Sequence, residues 1–178
     1  KTRVKRMVLN GIDRIDQYEK NFTGRRIGLI TSSSGLTVDF KTTVEIFYKR
    51  FRLTALFAPE HGLRGDSGAG VHVEDAVDPK TGIPVYSLYR KDLRNLTEEM
   101  LSRVDMVVYD IQDVGSRYYT YLYTMLYAME SCSKAGKAFA VLDRPNPLGG
   151  EIVEGNTVKE SYLSFVGGYP LCMRYGLT

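Results

Sequence analysis

Hydrophobic positions along the chain follow two spacings in turn, which predicts strands that alternate with helices. Short apolar runs typical of buried strands occur in RIGLIT, RLTALFA, IPVYSLY, DMVVYD and KAFAVL. Amphipathic helical patterns occur in GIDRIDQYEKNF, DFKTTVEIFYKRF, LTEEMLSRV and YYTYLYTMLYAMESCSKAG. This alternation predicts βαβ units, and therefore an α/β fold with a mainly parallel sheet and flanking helices.

Details of the helical patterns give further expectations. Ile12, Ile15 and Tyr18 form one apolar stripe, and Val44, Phe47 and Tyr48 form another. Thr97 is a candidate N-cap and Gly136 a candidate C-cap. The tyrosine-rich helix has two faces, one with Tyr119, Tyr123 and Tyr127 and the other with Tyr118 and Tyr121, and one of them must belong to the core.

The alternation ends near Gly149 and Gly150, where the chain becomes rich in turns. We therefore expect one α/β domain over residues 1–150 and the beginning of a smaller second domain over residues 151–178.

Composition fits a soluble globular protein, because 43% of the 178 residues are hydrophobic and 25% are charged. The net charge is only +3, so the basic opening KTRVKR is interpreted as a solvated terminus and no nucleic-acid partner is expected. The two cysteines have no disulfide or zinc spacing, and no apolar run is long enough to span a bilayer. Localisation stays open: removal of a leader would be compatible with a secreted or periplasmic bacterial protein.

Polar and glycine-rich segments follow four of the predicted strands, namely SSSG, PEHG, DIQDVG and DRPNPLGG. In parallel α/β sheets the ligand crevice lies outside the carboxyl ends of the strands. These loops are therefore expected to meet at one sheet edge and to form a site there.

Glu60 and His61 are the leading catalytic candidates. A carboxyl directly after the rigid Pro59 is expected to point into the crevice and to donate a proton. Alternatively, Glu60 caps a helix or pairs with Arg64, and His61 is an ordinary, partly buried histidine. A looser set of His61, Asp66, His72, Glu74 and Asp75 matches no defined metal spacing, so no metal or other cofactor is predicted.

Two further segments contain candidate polar groups. In DIQDVGSR, Asp110 is expected to face the crevice, whereas Asp113 is structural or pairs with Arg117; Gln112 offers an amide. In LDRPNPLGG, Arg144 is suited to bidentate binding of a carboxylate, or else pairs with Asp143 to shape the turn. Asn146 offers a second amide, and Glu151 or Glu154 is a candidate second carboxylate.

The ordered motifs LFAPEHGLRG, TGIPVYSLY, DIQDVGSRYYTY, VLDRPNPLGG, VEG and SFVGGYP resemble the DUF1343 family, the NamZ-type exo-β-N-acetylmuramidases. The resemblance implies a Rossmann-like first domain, a smaller C-terminal domain that completes the cleft, and removal of terminal N-acetylmuramic acid from peptidoglycan fragments. Members of this family are about twice as long as this chain. The chain departs from the family pattern at Ser32, Asn156 and Tyr175, where Asn, Pro and His are expected.

The resemblance places the glutamate of PEHG at Glu60 as acid/base; His61 and Asp110 remain catalytic candidates from their positions in the sequence alone. It implies a peptidoglycan-derived sugar or muropeptide as the partner. For that sugar, Arg64, Arg117 or Arg144 suits the lactyl carboxylate. Other candidate residues would bind the amide or hydroxyl groups of the sugar, stack on its ring or supply a second carboxylate. They are Ser32, Gln112, Tyr119, Asp143, Asn146 and Glu154. Two alternatives stay open, a non-catalytic carbohydrate-binding domain and a metal-assisted phosphoesterase.

Overall fold

The computed structural model describes residues 8–65, 68, 74–90 and 94–177. Six strands form one sheet in the order β3-β4-β2-β1-β5-β6. All neighbouring strands are parallel except β3 and β4, so the predicted mainly parallel sheet is confirmed. The strands are β1 Arg26–Thr31, β2 Arg52–Ala58, β3 Ala76–Val77, β4 Pro84–Ser87, β5 Met106–Asp110 and β6 Ala138–Val141. The sequence did not predict β3, whose two residues are too few to show a period.

The helices occur where the apolar pattern predicts them. A 3₁₀ helix at Gly11–Tyr18 continues into α1, and α4 ends just before Gly136, which has the left-handed φ of +62° that favours glycine. Two predicted apolar positions are wrong, since Tyr18 and Tyr48 are 49% and 48% exposed. The α-helices are α1 Glu19–Phe22, α2 Thr43–Arg50, α3 Glu98–Ser102 and α4 Thr120–Lys134.

The core consists of two apolar layers, one on each face of the sheet. Ile27 and Leu29 of β1 point to a layer that includes Phe22 of α1 and Phe47 of α2. Ile30 points to the opposite layer, which contains residues of α3 and α4. Because helices cover both faces, the central strands are buried on both sides and are apolar throughout rather than alternating.

Both tyrosine faces of α4 contribute to the interior. Tyr121 and Tyr123 are 8% and 0% exposed, although they belong to different predicted faces, whereas Tyr118 is exposed. The helix packs on the sheet on one side, and on another side Tyr127 stacks on Phe165 with ring centroids 6.4 Å apart. The expectation of a single core face did not include this second contact.

Thr97 is the N-cap of α3, as predicted, and its hydroxyl oxygen accepts a hydrogen bond from the Met100 N–H at 3.2 Å. We expect Thr97→Ala to lower the free energy of unfolding by about 1 kcal/mol, because an N–H of the first turn loses its partner. Urea unfolding measures this change. Thr97→Ser retains the hydroxyl and is the control, so an equal loss in both variants would contradict a capping role.

The segment 151–177 contains two short 3₁₀ helices, Glu160–Tyr162 and Phe165–Gly167, and no longer helix or strand, in agreement with its turn-rich sequence. Isolated β-bridges join Arg174 to Ser116 and to Glu154. The segment is therefore attached to the loop that precedes α4. The domain boundary near residue 150 stays a prediction.

Candidate active site

The loops that follow the parallel strands meet at one sheet edge. At the strand ends, Thr31 of β1 is in register with Asp110 of β5, and Ala58 of β2 with Ser87 of β4. Ser32, Glu60, Tyr89 and Gln112 come after these four strands, so the chain places them along the carboxyl edge, where ligands bind in such folds.

A tight turn after β2 fixes the direction of Glu60. The Gly62 N–H donates to the Pro59 carbonyl at 3.0 Å, and His61, the third residue of this turn, has a φ of +71°. A non-glycine residue in this left-handed region is held there at a cost by its surroundings, and such positions cluster at functional sites. Glu60 itself is only 8% exposed, so its side chain is turned inward.

Two tyrosines, Tyr89 and Tyr121, interact with the Glu60 carboxyl. The Tyr89 hydroxyl forms a hydrogen bond with Glu60, and the pKa of Tyr89 is raised by burial and then by the negative charge of Glu60. Burial, with a smaller effect from Tyr119, raises the pKa of Tyr121 to about 12, and this tyrosine also interacts with Ser32 and Glu60. The candidate acid therefore lies in a partly dry site in which these phenols stay protonated.

Asp110 does not face the crevice, and this expectation is wrong. The side chain is 0% exposed. Its Oδ1 accepts a hydrogen bond from Arg144 Nε at 2.6 Å and its Oδ2 from Arg144 Nη2 at 3.1 Å. Thr43 also donates to Oδ2. Burial raises the pKa of the Asp110 carboxyl, while the hydrogen bonds from Arg144 and Thr43 act in the opposite direction.

Arg144 is consequently not available to grip a ligand carboxylate. Besides Asp110, it donates to the Leu36 carbonyl at 2.9 Å and is 9% exposed. The alternative prediction was that Arg144 pairs with Asp143. The two residues are joined only by a hydrogen bond from the Arg144 backbone N–H to Asp143 Oδ1, at 2.9 Å. Asp143 is exposed, and its carbonyl accepts from Gly11 N–H at 2.7 Å.

The two predicted amides hold loops together. Gln112 donates through Nε2 to the carbonyls of Asp113 and Pro145, at 2.9 and 2.8 Å. Asn146 donates through Nδ2 to the carbonyls of Tyr175 and Leu177, at 3.1 and 2.7 Å. In this structure their donors therefore serve the backbone instead of a ligand.

Arg117 and Glu154 anchor the C-terminal segment. The Arg117 Nη1 donates to the carbonyls of Leu171, at 2.9 Å, and Asn156. Glu154 is exposed and accepts from Arg174 Nη1 at 2.8 Å. The proposed Asp113–Arg117 pair is not found; instead, Tyr175 donates to Asp113 Oδ1 at 2.5 Å.

Ser32 and Arg64 line a cleft of about 650 Å³ beside α2. The Ser32 hydroxyl is within 2.8 Å of the Ser34 hydroxyl, and Arg64 pairs with Asp78 at 2.7 Å. Tyr119 is half-buried and packs edge-on against Tyr121, with ring centroids 4.8 Å apart. These positions bring Ser32 and Tyr119 close to the Glu60 environment.

Asp66 and His72, two members of the loose acid and histidine set, lie outside the described residues. Among the residues that the structure describes, no group of three or more His, Cys, Asp or Glu side chains is placed to hold a metal ion. No helix in that part of the chain is long and apolar enough to cross a bilayer.

Sequence reasoning missed Tyr89 and Arg94. Tyr89 lies two residues after the end of β4, and its position could have been found by applying the strand-end rule to β4 as well. Arg94 lies in a segment without a periodic pattern, and only the structure places its guanidinium against Tyr89, with the guanidinium carbon 4.6 Å from the ring centroid.

The fold and this edge define an α/β domain with a buried acid at the carboxyl ends of a parallel sheet. Residues 27–178 match the family described as exo-β-N-acetylmuramidase NamZ, N-terminal, and the chain belongs to this family. It is 51% identical, over 99% of its length, to the peptidoglycan β-N-acetylmuramidase NamZ of Bacillus subtilis strain 168. The chain spans 43% of the length of that relative.

Two solved structures of DUF1343 family proteins from Bacteroides fragilis share the fold. One superposes with a TM-score of 0.87 at 46% identity and the other with 0.80 at 32% identity. Each match covers 95% of this chain and 43% of the other chain. The resemblance noted in the sequence motifs is thereby confirmed, and the fold class with it.

Proposed function

We propose that this protein acts in the hydrolysis of terminal β-linked N-acetylmuramic acid in peptidoglycan fragments, with Glu60 as the proton donor. The observation that carries the proposal is the inward-facing Glu60 carboxyl, hydrogen-bonded by Tyr89 at the carboxyl edge of the sheet. The family match and the name of the Bacillus subtilis relative support the same reaction.

Glycoside hydrolysis requires an acid that protonates the leaving oxygen. Glu60 fits this role because its surroundings exclude most water and because the turn at His61 fixes its direction. His61 then acts as a positioning residue, since its backbone conformation sets the course of the chain directly after the acid.

The other predicted acids are not suited to act as a nucleophile beside Glu60. Asp110 ends β5, which lies two strands from β2, about 10 Å across the sheet, and Asp110 is bound by Arg144. Asp143, Glu151 and Glu154 are exposed, and Glu154 is paired with Arg174. We therefore assign the attack on the anomeric carbon to the acetamido oxygen of the substrate, which makes a carboxylate nucleophile unnecessary.

Proton NMR of a disaccharide with terminal β-N-acetylmuramic acid tests both parts of the proposal. We expect cleavage, and we expect the released sugar to appear first as the β anomer, because attack by the acetamido group followed by water retains configuration. An initial α anomer would contradict participation of the acetamido group. Intact disaccharide after prolonged incubation with the protein that includes the further domain proposed below would contradict the hydrolase itself.

We also propose that a further domain, as in the longer family members, completes the cleft. Several apolar side chains of the C-terminal segment are exposed, which supports a contact surface there. They include Ile152, Val153, Leu163 and Val166, which are 39–58% exposed.

A non-catalytic carbohydrate-binding domain is the second candidate, and Tyr175 is the observation that favours it. This residue stands where the family resemblance suggests a histidine, and its hydroxyl is used to hold Asp113. Burial and then this hydrogen bond raise the pKa of Tyr175, so the side chain does not exchange protons near neutral pH as a histidine would. Binding of the disaccharide without cleavage would favour this candidate.

A further inference from the structure

Arg94 occupies a corner formed by two aromatic rings. Its guanidinium carbon lies 4.6 Å from the ring centroid of Tyr89 and 4.2 Å from that of Phe165, and the two rings are 5.6 Å apart. Phe165 belongs to the SFVGGYP motif of the C-terminal segment. Cation–π contacts of this kind fix the orientation of a guanidinium group, but they do not satisfy its N–H donors.

One of these donors is unsatisfied. Arg94 Nη1 is buried and has no hydrogen-bond partner within the part of the chain that the structure describes. A buried charged donor without a partner is unfavourable, so a ligand that supplies an acceptor is favoured there. The residue as a whole keeps part of its surface in solvent.

The three arginines that the sequence suggested for a carboxylate are already engaged. Arg64 pairs with Asp78, Arg144 pairs with Asp110, and Arg117 donates to backbone carbonyls. Arg90 and Arg174 each have an unpaired Nε as well, but their guanidinium groups already bind Asp75 and Glu154. Among the described arginines with a buried, unpaired donor, Arg94 is thus the one whose guanidinium group has no acidic partner among the described residues.

Arg94 also lies close to the candidate proton donor, since both contact the same tyrosine. The Tyr89 ring supports Arg94, while the Tyr89 hydroxyl is hydrogen-bonded to Glu60. One tyrosine side chain therefore separates the cation from the candidate proton donor. A tyrosine side chain is about as long as a pyranose ring is wide, so a sugar with its anomeric oxygen at Glu60 can extend a substituent on its far side toward Arg94.

We propose that Arg94 binds the carboxylate of the lactyl substituent and so selects an acidic amino sugar over its neutral counterpart. This assignment rests on the proposed function, because it takes Glu60 as the position of the scissile bond. N-acetylmuramic acid differs from N-acetylglucosamine by this lactyl group, so a cation fixed beside the acid supplies the discrimination. Phe165 acts as a positioning residue, since it holds the guanidinium on the Tyr89 ring.

Binding of three glycosides to the whole chain tests the assignment by isothermal titration calorimetry. The probes are the methyl β-glycoside of N-acetylmuramic acid, the same compound with its carboxyl methylated, and methyl β-N-acetylglucosaminide. We expect the free acid to bind at least about tenfold more tightly than its neutral methyl ester, because a charge-assisted hydrogen bond is lost in the ester.

Arg94→Gln is expected to bring the acid-to-ester affinity ratio close to one, and Arg94→Lys to give an intermediate ratio, since lysine keeps the charge without the planar fork. Arg103→Gln is the matched control, because the guanidinium carbon of Arg103 also lies over a tyrosine ring, 5.8 Å from the centroid of Tyr86. This variant should leave the acid-to-ester ratio unchanged. Circular dichroism checks folding, and if Arg94→Gln does not fold, the ratio in Arg94→Lys decides.

An unchanged ratio in folded Arg94→Gln, or equal binding of acid and ester by the original chain, would overturn the role of Arg94 and leave the proposed function intact. If the original chain binds none of the three glycosides, the proposed function fails, and the role of Arg94 fails with it.

Discussion

Glu60→Gln is expected to lower the rate of disaccharide cleavage by at least about 100-fold, which makes it the largest effect on activity that we expect. Removing a general acid has effects of this size, because the alkoxide leaving group then departs without a proton. Glutamine has the same shape and can still accept the hydrogen bond of Tyr89, so the free energy of unfolding should change little.

A leaving-group comparison distinguishes proton donation from a general disturbance of the site. A 4-nitrophenyl β-N-acetylmuramide needs little protonation, so Glu60→Gln should slow its cleavage much less than that of the disaccharide. Glu99→Gln is the matched control, since Glu99 is an exposed glutamate in the first turn of α3. An equal loss for both substrates would assign Glu60 to substrate binding, and an unchanged rate would remove it from the mechanism.

Arg144→Met is expected to lower the free energy of unfolding by about 3–5 kcal/mol at pH 7, the largest effect on stability that we expect. Asp110 is 0% exposed, and its ion pair with Arg144 is 2.6 Å long. Without the guanidinium, a carboxylate stays buried with only Thr43 as a side-chain donor, and its charge is no longer compensated. Urea unfolding, followed by circular dichroism, measures the loss.

The pH dependence of this variant has a definite sign. Burial already raises the pKa of Asp110, and loss of Arg144 raises it further in the folded state but not in the unfolded state. The folded variant then binds a proton more readily than the unfolded chain, so its stability falls as the pH rises. The deficit relative to the original protein should therefore shrink by about 1–3 kcal/mol between pH 7 and pH 5.

Arg26→Met is the matched control, because Arg26 and Asp105 form the same kind of pair, at 2.7 Å, with side chains that are 33% and 41% exposed. Water screens this pair, so the expected loss is at most about 1 kcal/mol. Similar losses in both arginine variants would contradict the special cost of the buried charge at Asp110.

The position of Glu60 at the sheet edge could be predicted because it depends only on neighbouring residues in the sequence. A continuous apolar run predicts a buried parallel strand, and Pro59 marks where β2 gives way to a turn. Since all parallel strands end at the same edge, the position of Glu60 in the chain is enough to place it there. The same argument would have found Tyr89 after β4.

The partners of the polar side chains were not predictable in this way. From the sequence, Arg144 was predicted to bind the carboxylate of a ligand. In the structure it pairs with Asp110, which lies 34 residues earlier in the chain. Gln112 and Asn146 look like ligand-binding amides, but they donate to backbone carbonyls of other loops. Buried polar groups must find partners, and which partner is nearest depends on how distant loops pack.

By itself, the sequence determined the order of the helices and of the five parallel strands, and the edge at which Glu60 lies, because periodicity and strand direction are properties of consecutive residues. Only the tertiary structure decided which charges compensate each other there. In the structure, Asp110 and Arg144 form a buried ion pair, and Arg94 lies beside Tyr89 and Phe165. These pairings join residues far apart in the chain, and burial and geometry choose among several partners of equal chemistry.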